Sequence, residues 1–274
     1  GPSTIIKQLG KRYVIATLGS VLYIYNYNME TSELDQLSFY FAPFFITSVN
    51  VLKNFVIIGD SVQGLQFLQW NEENSELSLL GKDYETVLSL NSSFVLDGNK
   101  LGMVTADFEG NIQLLQYNPR VVESRKGFKL LCMADFYLGS TVSMFLPHRL
   151  LNRALPGREM IPSFKTSVFT GTIYGEFGIV VPIDEGMYRR LMLLQQIMGS
   201  VMKTTCALNP REYRFIKTSE MKLERKRGLV DGSLLWKFMD LDSRTQDELC
   251  AAMGTSVDVV FENLLEIDFS WGFF

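Results

Sequence analysis

The sequence predicts a mainly β protein with an α-helical C-terminal domain, in which the β part consists of WD40-like β-propeller blades. Three observations predict this fold. A strand-like segment occurs three times, the hydrophobic periodicity changes near residue 183, and helix-capping residues precede apolar runs after that point. Self-similarity with a period in the forties is typical of four-stranded propeller blades. We therefore expect about four blades followed by a small helical domain.

The repeated segment is a short apolar strand that ends in an aromatic residue and an asparagine. It occurs at 22–28, 65–71 and 112–118, so that successive copies begin 43 and 47 residues apart. Each copy follows a tight-turn signal: Leu18-Gly19, Gly59-Asp60 or Ala106-Asp107. Because four blades are the lower limit for a closed ring, we expect these blades to belong to a larger propeller. The alternative is a complete four-bladed ring.

Residues 4–183 are predicted to contain strands almost throughout, and 1–3 to be a tag scar. Short runs rich in Val, Ile, Phe, Tyr and Thr are separated there by Gly, Asn and Asp. The strands are predicted at 13–17, 21–27, 36–41, 45–51, 54–58, 64–70, 76–81, 86–91, 94–97, 101–106, 111–117, 129–136, 141–146, 164–170 and 177–182. An insertion at 147–162, with three prolines and His148, is predicted to be a surface loop.

Residues 184–274 are predicted to form the helical domain. Apolar residues recur there every three or four positions, as in a helix whose apolar face packs on the blades or on later helices. This stripe consists of Met187, Leu191, Leu194, Met198 and Val201. Later helices are expected where capping residues precede apolar runs, at Asn209-Pro210, Asp231, the capping box Ser243–Gln246, and Thr255 or Ser256.

The residue types do not indicate an enzyme, a cofactor or a metal site. The chain has one histidine, His148, and three widely spaced cysteines, Cys132, Cys206 and Cys250, with no Cys-x-x-Cys pair. This pattern fits neither a disulfide framework nor a zinc site. The net charge of −4 disfavours a protein whose whole surface binds nucleic acid. No apolar run reaches the roughly 18–20 residues of a membrane-spanning helix.

Charge is distributed unevenly along the helical region. Residues 211–227 contain seven Lys or Arg and three acidic residues, whereas 231–274 contain two and nine. Such asymmetry is typical of a contact surface rather than a catalytic pocket. We expect the basic side chains to be exposed and to contact a partner or RNA; the alternative is a solvated face. They are Arg211, Arg214, Lys217, Lys222, Arg225, Lys226 and Arg227.

Motifs in the second half of the chain resemble those of one family. They are Arg125-Lys126-Gly127-Phe128-Lys129-Leu130-Leu131, Ala134-Asp135-Phe136, Thr170-Gly171-Thr172-Ile173-Tyr174-Gly175, Tyr188-Arg189-Arg190-Leu191-Met192-Leu193-Leu194-Gln195, Leu208-Asn209-Pro210-Arg211-Glu212-Tyr213-Arg214 and Val230-Asp231-Gly232-Ser233-Leu234-Leu235. With them, the chain resembles the C-terminal region of the largest subunits of cleavage and polyadenylation specificity factors. The Asp-Gly-x-Leu-Leu element alone is shared with the large damaged-DNA-binding subunit and a splicing-factor subunit. The insertion at 147–162 and the Ser-Trp-Gly-Phe-Phe ending depart from the family pattern.

The resemblance implies a nuclear, non-catalytic scaffold in pre-mRNA 3′-end cleavage and polyadenylation. In that family, three propellers and a helical domain hold the WD-repeat and zinc-finger subunits that recognise the polyadenylation signal, and cleavage is carried out elsewhere in the complex. The pre-mRNA would be contacted indirectly, through those subunits. Two alternatives remain: a propeller scaffold of the ubiquitin-ligase or splicing-factor type, and weak direct RNA binding through residues 211–227.

Overall fold

Among the described residues, the β part of the chain forms four antiparallel sheets that follow one another in sequence. The computed structural model describes residues 4–28, 30–85, 88–149, 165–202, 214 and 228–271. The strands are β1 (Ile6–Leu9), β2 (Tyr13–Leu18), β3 (Val21–Asn28), β4 (Glu33–Phe41), β5 (Ile46–Leu52), β6 (Phe55–Asp60), β7 (Gly64–Asn71), β8 (Glu76–Lys82), β9 (Ser89–Asp97), β10 (Lys100–Asp107), β11 (Asn111–Gln116), β12 (Leu131–Tyr137), β13 (Val142–Arg149), β14 (Thr166–Thr172) and β15 (Phe177–Val180). A short 3-10 helix, Val122–Ser124, precedes β12.

Each sheet pairs its strands in chain order, as a propeller blade does. Blades 1, 2 and 3 are β1–β4, β5–β8 and β9–β12, and blade 4 has three strands, β13–β15, within the described residues. The first strands of neighbouring blades, β1, β5, β9 and β13, contact one another in that order. The three sequence repeats are β3, β7 and β11, the third strand of blades 1, 2 and 3. This confirms the blade architecture predicted from the repeat.

The turn before each repeated strand depends on a glycine with positive φ. Gly19, Gly64 and Gly110 have φ values of 63°, 73° and 85°. A residue with a Cβ is disfavoured in this left-handed region, whereas glycine adopts it readily. The second and third turns are also closed by a buried carboxylate: Asp60 accepts from the N–H of Val62 at 2.9 Å and Asp107 from the N–H of Asn111 at 2.8 Å.

Apolar side chains pack between each pair of neighbouring blades. Adjacent residues of one strand contribute to different layers, as the two-residue period of a strand requires. Ile58 of blade 2 packs towards Ile24 of blade 1, whereas Ile57 packs towards Phe94 of blade 3. A third layer joins blades 3 and 4 around Val104 and Val168. Blades 2 and 3 are therefore buried on both faces.

Blade 1 buries only one of its two faces within the described residues. Ile24 and its neighbours face blade 2, whereas the alternate positions of the sheet carry aromatic side chains that are half-buried or exposed. Tyr23 pairs across the sheet with Phe39, and the rings of Phe39 and Phe41 meet edge to face with centroids 5.2 Å apart. We call this surface, defined by Tyr23, Tyr25, Phe39 and Phe41, the open blade face.

Two details of the strand prediction were wrong for physical reasons. Residues 86–91 and 94–97 were predicted as separate strands, but β9 runs unbroken through the polar Asn91-Ser92-Ser93. Ser92 is buried there and hydrogen-bonds Ser48 of blade 2 at 2.9 Å, so polarity did not indicate a turn. His148 was predicted in a solvated loop, yet it lies in β13, half-buried beside the ring of Phe169. Residues 150–164 of the predicted insertion lie outside the described residues.

Within the described residues, four α-helices follow the blades. They are α1 (Glu185–Val201), α2 (Gly232–Trp236), α3 (Ser243–Met253) and α4 (Val257–Trp271), with a 3-10 turn at Lys237–Asp240 after α2. Asp231 caps α2, as predicted. The capping box at Ser243–Gln246 was wrong by one residue: Asp242 is the N-cap of α3, because its carboxylate accepts from the Thr245 N–H at 3.3 Å and the Thr245 hydroxyl at 2.7 Å. The helix predicted at Asn209-Pro210 lies outside the described residues.

The apolar stripe of α1 packs on the later helices. Met187, Leu191, Leu194 and Met198 are buried in one cluster with residues of α2, α3 and α4, including Leu235. Val201 is 54% exposed, so that member of the stripe was predicted wrongly. It is the last residue of α1. Within the described residues, no helix combines the length and the apolar character needed to cross a membrane.

Truncating the buried part of the stripe should destabilise the helices. We predict that Leu194→Ala lowers the free energy of unfolding by about 2–5 kcal/mol, because it leaves a cavity in a packed core. Val201→Ala, the matched control on the same helix, should change it by less than about 0.5 kcal/mol. Urea unfolding followed by circular dichroism measures both. Equal losses for the two variants would contradict the packing described for α1.

A third buried carboxylate, Asp83, lies just after β8 and beneath the turn at Gly64. One of its oxygens accepts a hydrogen bond from the Glu85 N–H at 3.0 Å. Its other oxygen would lie only 3.0 Å from a Cβ added at Gly64. Burial raises the pKa of Asp83 to about 7 from 3.8, and the neighbouring charge of Glu85 adds to the effect.

This raised pKa makes Asp83 destabilising at neutral pH. The unfolded chain loses the Asp83 proton near pH 3.8 and the folded chain near pH 7, so the free energy of unfolding falls as pH rises through that window. We predict that Asp83→Asn stabilises the protein at pH 8 by up to about 4 kcal/mol and that this gain disappears below pH 4. Asp35→Asn, on the exposed side of β4, is the control. Urea unfolding at several pH values tests this; a gain that does not depend on pH would refute it.

Candidate functional site

The residues predicted to contact a partner fall mostly outside the described part of the chain. Arg211, Lys217, Lys222, Arg225, Lys226 and Arg227 are among them, and Arg214 alone of the seven is described. Arg214 was expected to be exposed, and this was wrong: its side chain is only 22% exposed. The reason is that its guanidinium contacts the end of the last strand of blade 3 and Asp231, the N-cap of α2.

The guanidinium of Arg214 joins these two parts through several polar contacts. Its Nε donates to Asp231 Oδ2 at 2.7 Å. Its Nη1 donates to the carbonyl oxygens of Leu138 and Tyr137, at 3.1 and 3.3 Å, at the end of β12. The guanidinium carbon also lies 4.9 Å from the ring centroid of Phe136, within the range of a cation–π contact. Arginine suits this position because its planar fork can serve several acceptors at once.

Asp231 is the centre of the contacts on the helical side. Its Oδ1 accepts hydrogen bonds from the backbone N–H groups of Ser233 and Leu234, at 3.0 and 3.4 Å, which caps α2. Its own N–H donates to Gln195 Oε1 of α1 at 2.7 Å. Together with the ion pair to Arg214, these bonds connect α1, α2 and blade 3 through one buried residue.

Backbone contacts hold the same region against β12. The N–H of Tyr137 donates to the carbonyl of Arg214 at 3.1 Å. Gly228 lies so close to blade 3 that an added Cβ would be 2.5 Å from the Cβ of Ala134 and from the carbonyl oxygen of Met133. A second ionic link lies at the start of α1, where Lys165 Nζ is 2.8 Å from Asp184 and 3.4 Å from Asp97 of β9. The helices are thus attached to the blades by charged contacts.

The described residues offer little for metal or nucleophilic chemistry. No group of three His, Cys, Asp or Glu side chains among them is arranged to hold a metal ion. Burial raises the pKa of Cys132 to about 12, helped by the nearby charge of Asp135. Burial also raises the pKa of Cys250. Both thiols are therefore poor nucleophiles at neutral pH, because the thiolate is the reactive form. The contacts of Arg214 and Asp231 form an internal clamp between blade 3 and α2.

Comparison with known proteins shows to which family the chain belongs. Residues 1–240 match the family model described as the CPSF A subunit region. The chain belongs to the CPSF A subunit family. It is 32% identical over 263 residues to "Cleavage and polyadenylation specificity factor subunit 1" of Arabidopsis thaliana. The matched region covers 95% of this chain and 18% of the Arabidopsis protein.

Other relatives agree with this assignment. The protein with the same name from Drosophila melanogaster is 30% identical over 271 residues, 98% of this chain and 18% of its own length. "Protein cft1" of Aspergillus fumigatus is 34% identical over 219 residues, 75% of this chain and 15% of its own length. The chain therefore spans less than one fifth of the length of these CPSF A family relatives.

Arg214 and Asp231 form a partly buried ion pair, so removing one partner should be costly. We predict that Arg214→Ala lowers the free energy of unfolding by about 3 kcal/mol, because it leaves the Asp231 carboxylate buried and unpaired. Arg244→Ala removes the exposed pair with Glu248 on α3 and should cost less than about 0.5 kcal/mol. Chemical denaturation of both variants measures this. Losses of similar size would show that the Arg214 pair is no more than a surface contact.

Proposed function

We propose that this chain is part of a non-catalytic scaffold subunit in the nuclear machinery for pre-mRNA 3′-end cleavage and polyadenylation. The observation that carries the proposal is the match of residues 1–240 to the CPSF A subunit region, together with relatives named as specificity-factor subunits. Those names favour 3′-end processing over the ubiquitin-ligase and splicing-factor alternatives. The partners we propose are the WD-repeat and zinc-finger subunits that recognise the polyadenylation signal, through which the pre-mRNA is contacted indirectly.

An exposed apolar hairpin on blade 4 supports a scaffold role. The turn between β14 and β15 presents Ile173, Tyr174 and Phe177 to solvent, and Phe177 is 88% exposed. The turn is fixed by Gly175, with φ of 84°, and by the Glu176 N–H, which donates to the hydroxyl of Thr172 at 3.1 Å. Clustered exposed apolar side chains mark protein interaction sites. We propose this hairpin as a contact for a partner subunit.

The open blade face supports a second part of the proposal, that blade 1 packs against a further blade of a larger propeller. The three blade-to-blade interfaces among the described residues are apolar layers between two sheets. Tyr23, Tyr25, Phe39 and Phe41 present the same kind of surface in the same alternation along β3 and β4. The sheet of a further blade, with an apolar face of similar residue types, would therefore fit against the open blade face. The proposed domain boundary near residue 184 divides these blades from the helices.

Direct RNA contact through residues 211–227 remains a prediction from the sequence. The clamp described above occupies the guanidinium of Arg214, so this arginine contributes little to an RNA surface.

The scaffold proposal is tested by reconstitution. The chain is co-expressed with the WD-repeat and zinc-finger subunits of the specificity factor, and capture is measured at physiological salt. We expect the wild-type chain to be captured. The double variant Tyr174→Ser/Phe177→Ser should reduce capture roughly tenfold or more, because a few buried side chains contribute most of the binding free energy of an interface.

Val62→Ser is the matched control, since Val62 is an exposed apolar residue in another blade turn. It should leave capture unchanged. Failure of the wild-type chain to capture either subunit would contradict the scaffold proposal. Unchanged capture by the double variant would instead remove the blade 4 hairpin from the interface.

A further inference from the structure

A second surface of the blades combines basic side chains with exposed aromatic rings. It lies where blade 2 meets blade 3, at the end of β8 and in the segment before β12. Tyr84 and Phe128 are 48% and 56% exposed, although large aromatic side chains are usually buried. The basic residues of these two segments are Lys82, Arg120, Arg125, Lys126 and Lys129. We call this surface the blade 2–3 patch.

Backbone hydrogen bonds bring the two segments together. The Lys82 N–H donates to the Phe128 carbonyl at 2.9 Å, and the Leu130 N–H donates to the Lys82 carbonyl at 3.0 Å. Lys82 and Lys129 are partners in this parallel bridge. The side chains of Lys82 and Lys129 therefore start from neighbouring backbone segments. Phe128 precedes Lys129 in the sequence.

The ring of Tyr84 lies among the positive charges. Lys82 Nζ is 4.9 Å from the ring centroid, and the guanidinium carbon of Arg125 is 5.8 Å from it. Arg125 and Lys126 are both exposed, and Lys82 is half-buried. The patch thus offers an aromatic plane bordered by cations whose charged ends reach solvent.

The turn that carries Arg125 and Lys126 is held in an uncommon conformation. Arg125, Lys126 and Gly127 have successive φ values of 50°, 62° and 97°. The turn is fixed by Ser124, whose carbonyl accepts from the N–H groups of Gly127 at 3.0 Å and Lys129 at 2.9 Å. Two non-glycine residues in the left-handed region persist only where the surroundings enforce them. The basic side chains are therefore held on a rigid support before any ligand binds.

We propose that the blade 2–3 patch binds single-stranded RNA. Basic side chains contact the phosphates, and Tyr84 and Phe128 provide planes on which unpaired bases stack. The acidic side chains of the two segments are fewer: Glu85 is half-buried and Glu123 is exposed, and the buried Asp83 lies beneath the patch. An acidic protein segment would satisfy the charges but would leave the two exposed rings without a role. Duplex RNA would likewise offer no unstacked bases.

The residues of this surface differ from those of the basic stretch at 211–227, and the proposal does not depend on the scaffold function. The chain has a net charge of −4, so a local cluster of cations, rather than general attraction, must account for any binding. Such binding should therefore be sensitive to changes within the patch and insensitive to equal charge changes elsewhere.

The test is fluorescence anisotropy with a labelled oligouridine RNA of about 15 nucleotides, across a salt series. We expect the 274-residue chain to bind it. Tyr84→Ala and Phe128→Ala should each weaken binding roughly fivefold or more, the range for loss of one base-stacking ring. Tyr84→Phe keeps the ring and should bind like the wild-type chain. Arg125→Glu/Lys126→Glu should reduce the slope of log K against log salt by about 1.4, the value for two lost phosphate contacts on a single strand.

Lys11→Glu/Arg12→Glu is the matched charge control, because it reverses two adjacent exposed basic residues of blade 1. It should leave both affinity and salt slope near the wild-type values. Equal losses for the two charge-reversal variants would overturn the proposal, as would no binding of the wild-type chain at about 50 mM salt. If polyglutamate of matched charge competes as well as oligouridine and the ring truncations have no effect, the surface takes an acidic protein segment and the RNA proposal is wrong.

Discussion

The structure depends on one constraint: a blade with two apolar faces must be covered on both. Blade 2 shows why, since adjacent residues such as Ile57 and Ile58 enter different apolar layers. At roughly 25 cal/mol per Å² of buried apolar surface, leaving either layer open would remove much of the favourable free energy of folding. The constraint explains why the strand motif repeats, because each third strand must fill the same two layers. The same constraint applies to the open blade face, because its aromatic residues alternate along β3 and β4 as apolar residues do on a covered face.

Polar groups fix the positions of the parts that apolar packing brings together. Apolar contacts are non-directional, whereas a buried hydrogen bond or ion pair has a defined geometry and is costly to break. Ser48 and Ser92 join blades 2 and 3 in this way. Arg214 and Asp231 do the same between blade 3 and the helices, and Lys165 does so between β9 and α1. The position of the helices relative to the blades is thus determined by a small number of charged contacts.

The sequence predicted local features better than long-range ones. The repeats predicted β3, β7 and β11, and the capping role of Asp231 followed from residue type alone. What it did not predict depended on partners far away in the chain. Ser92 resembles a turn residue until Ser48 is placed beside it, and Arg214 resembles a surface cation until Leu138 and Asp231 are placed around it. The blade 2–3 patch was missed for the same reason, because its two segments are more than 30 residues apart in sequence and are joined by the Lys82–Lys129 bridge.

A rigid framework and a set of exposed contact surfaces are complementary properties of this CPSF A family chain. Because the blades are fixed by apolar packing against their neighbours, side chains on their turns keep their positions without the entropy loss that a flexible loop suffers on binding. The blade 4 hairpin and the blade 2–3 patch both use turns with positive φ, at Gly175 and at Arg125 to Gly127, to hold their side chains outward. One surface is apolar and the other is basic with exposed rings, so the two differ in the chemistry of the ligand that each fits. The scaffold role proposed above would use the first kind of surface, and the RNA binding proposed for the blade 2–3 patch would use the second.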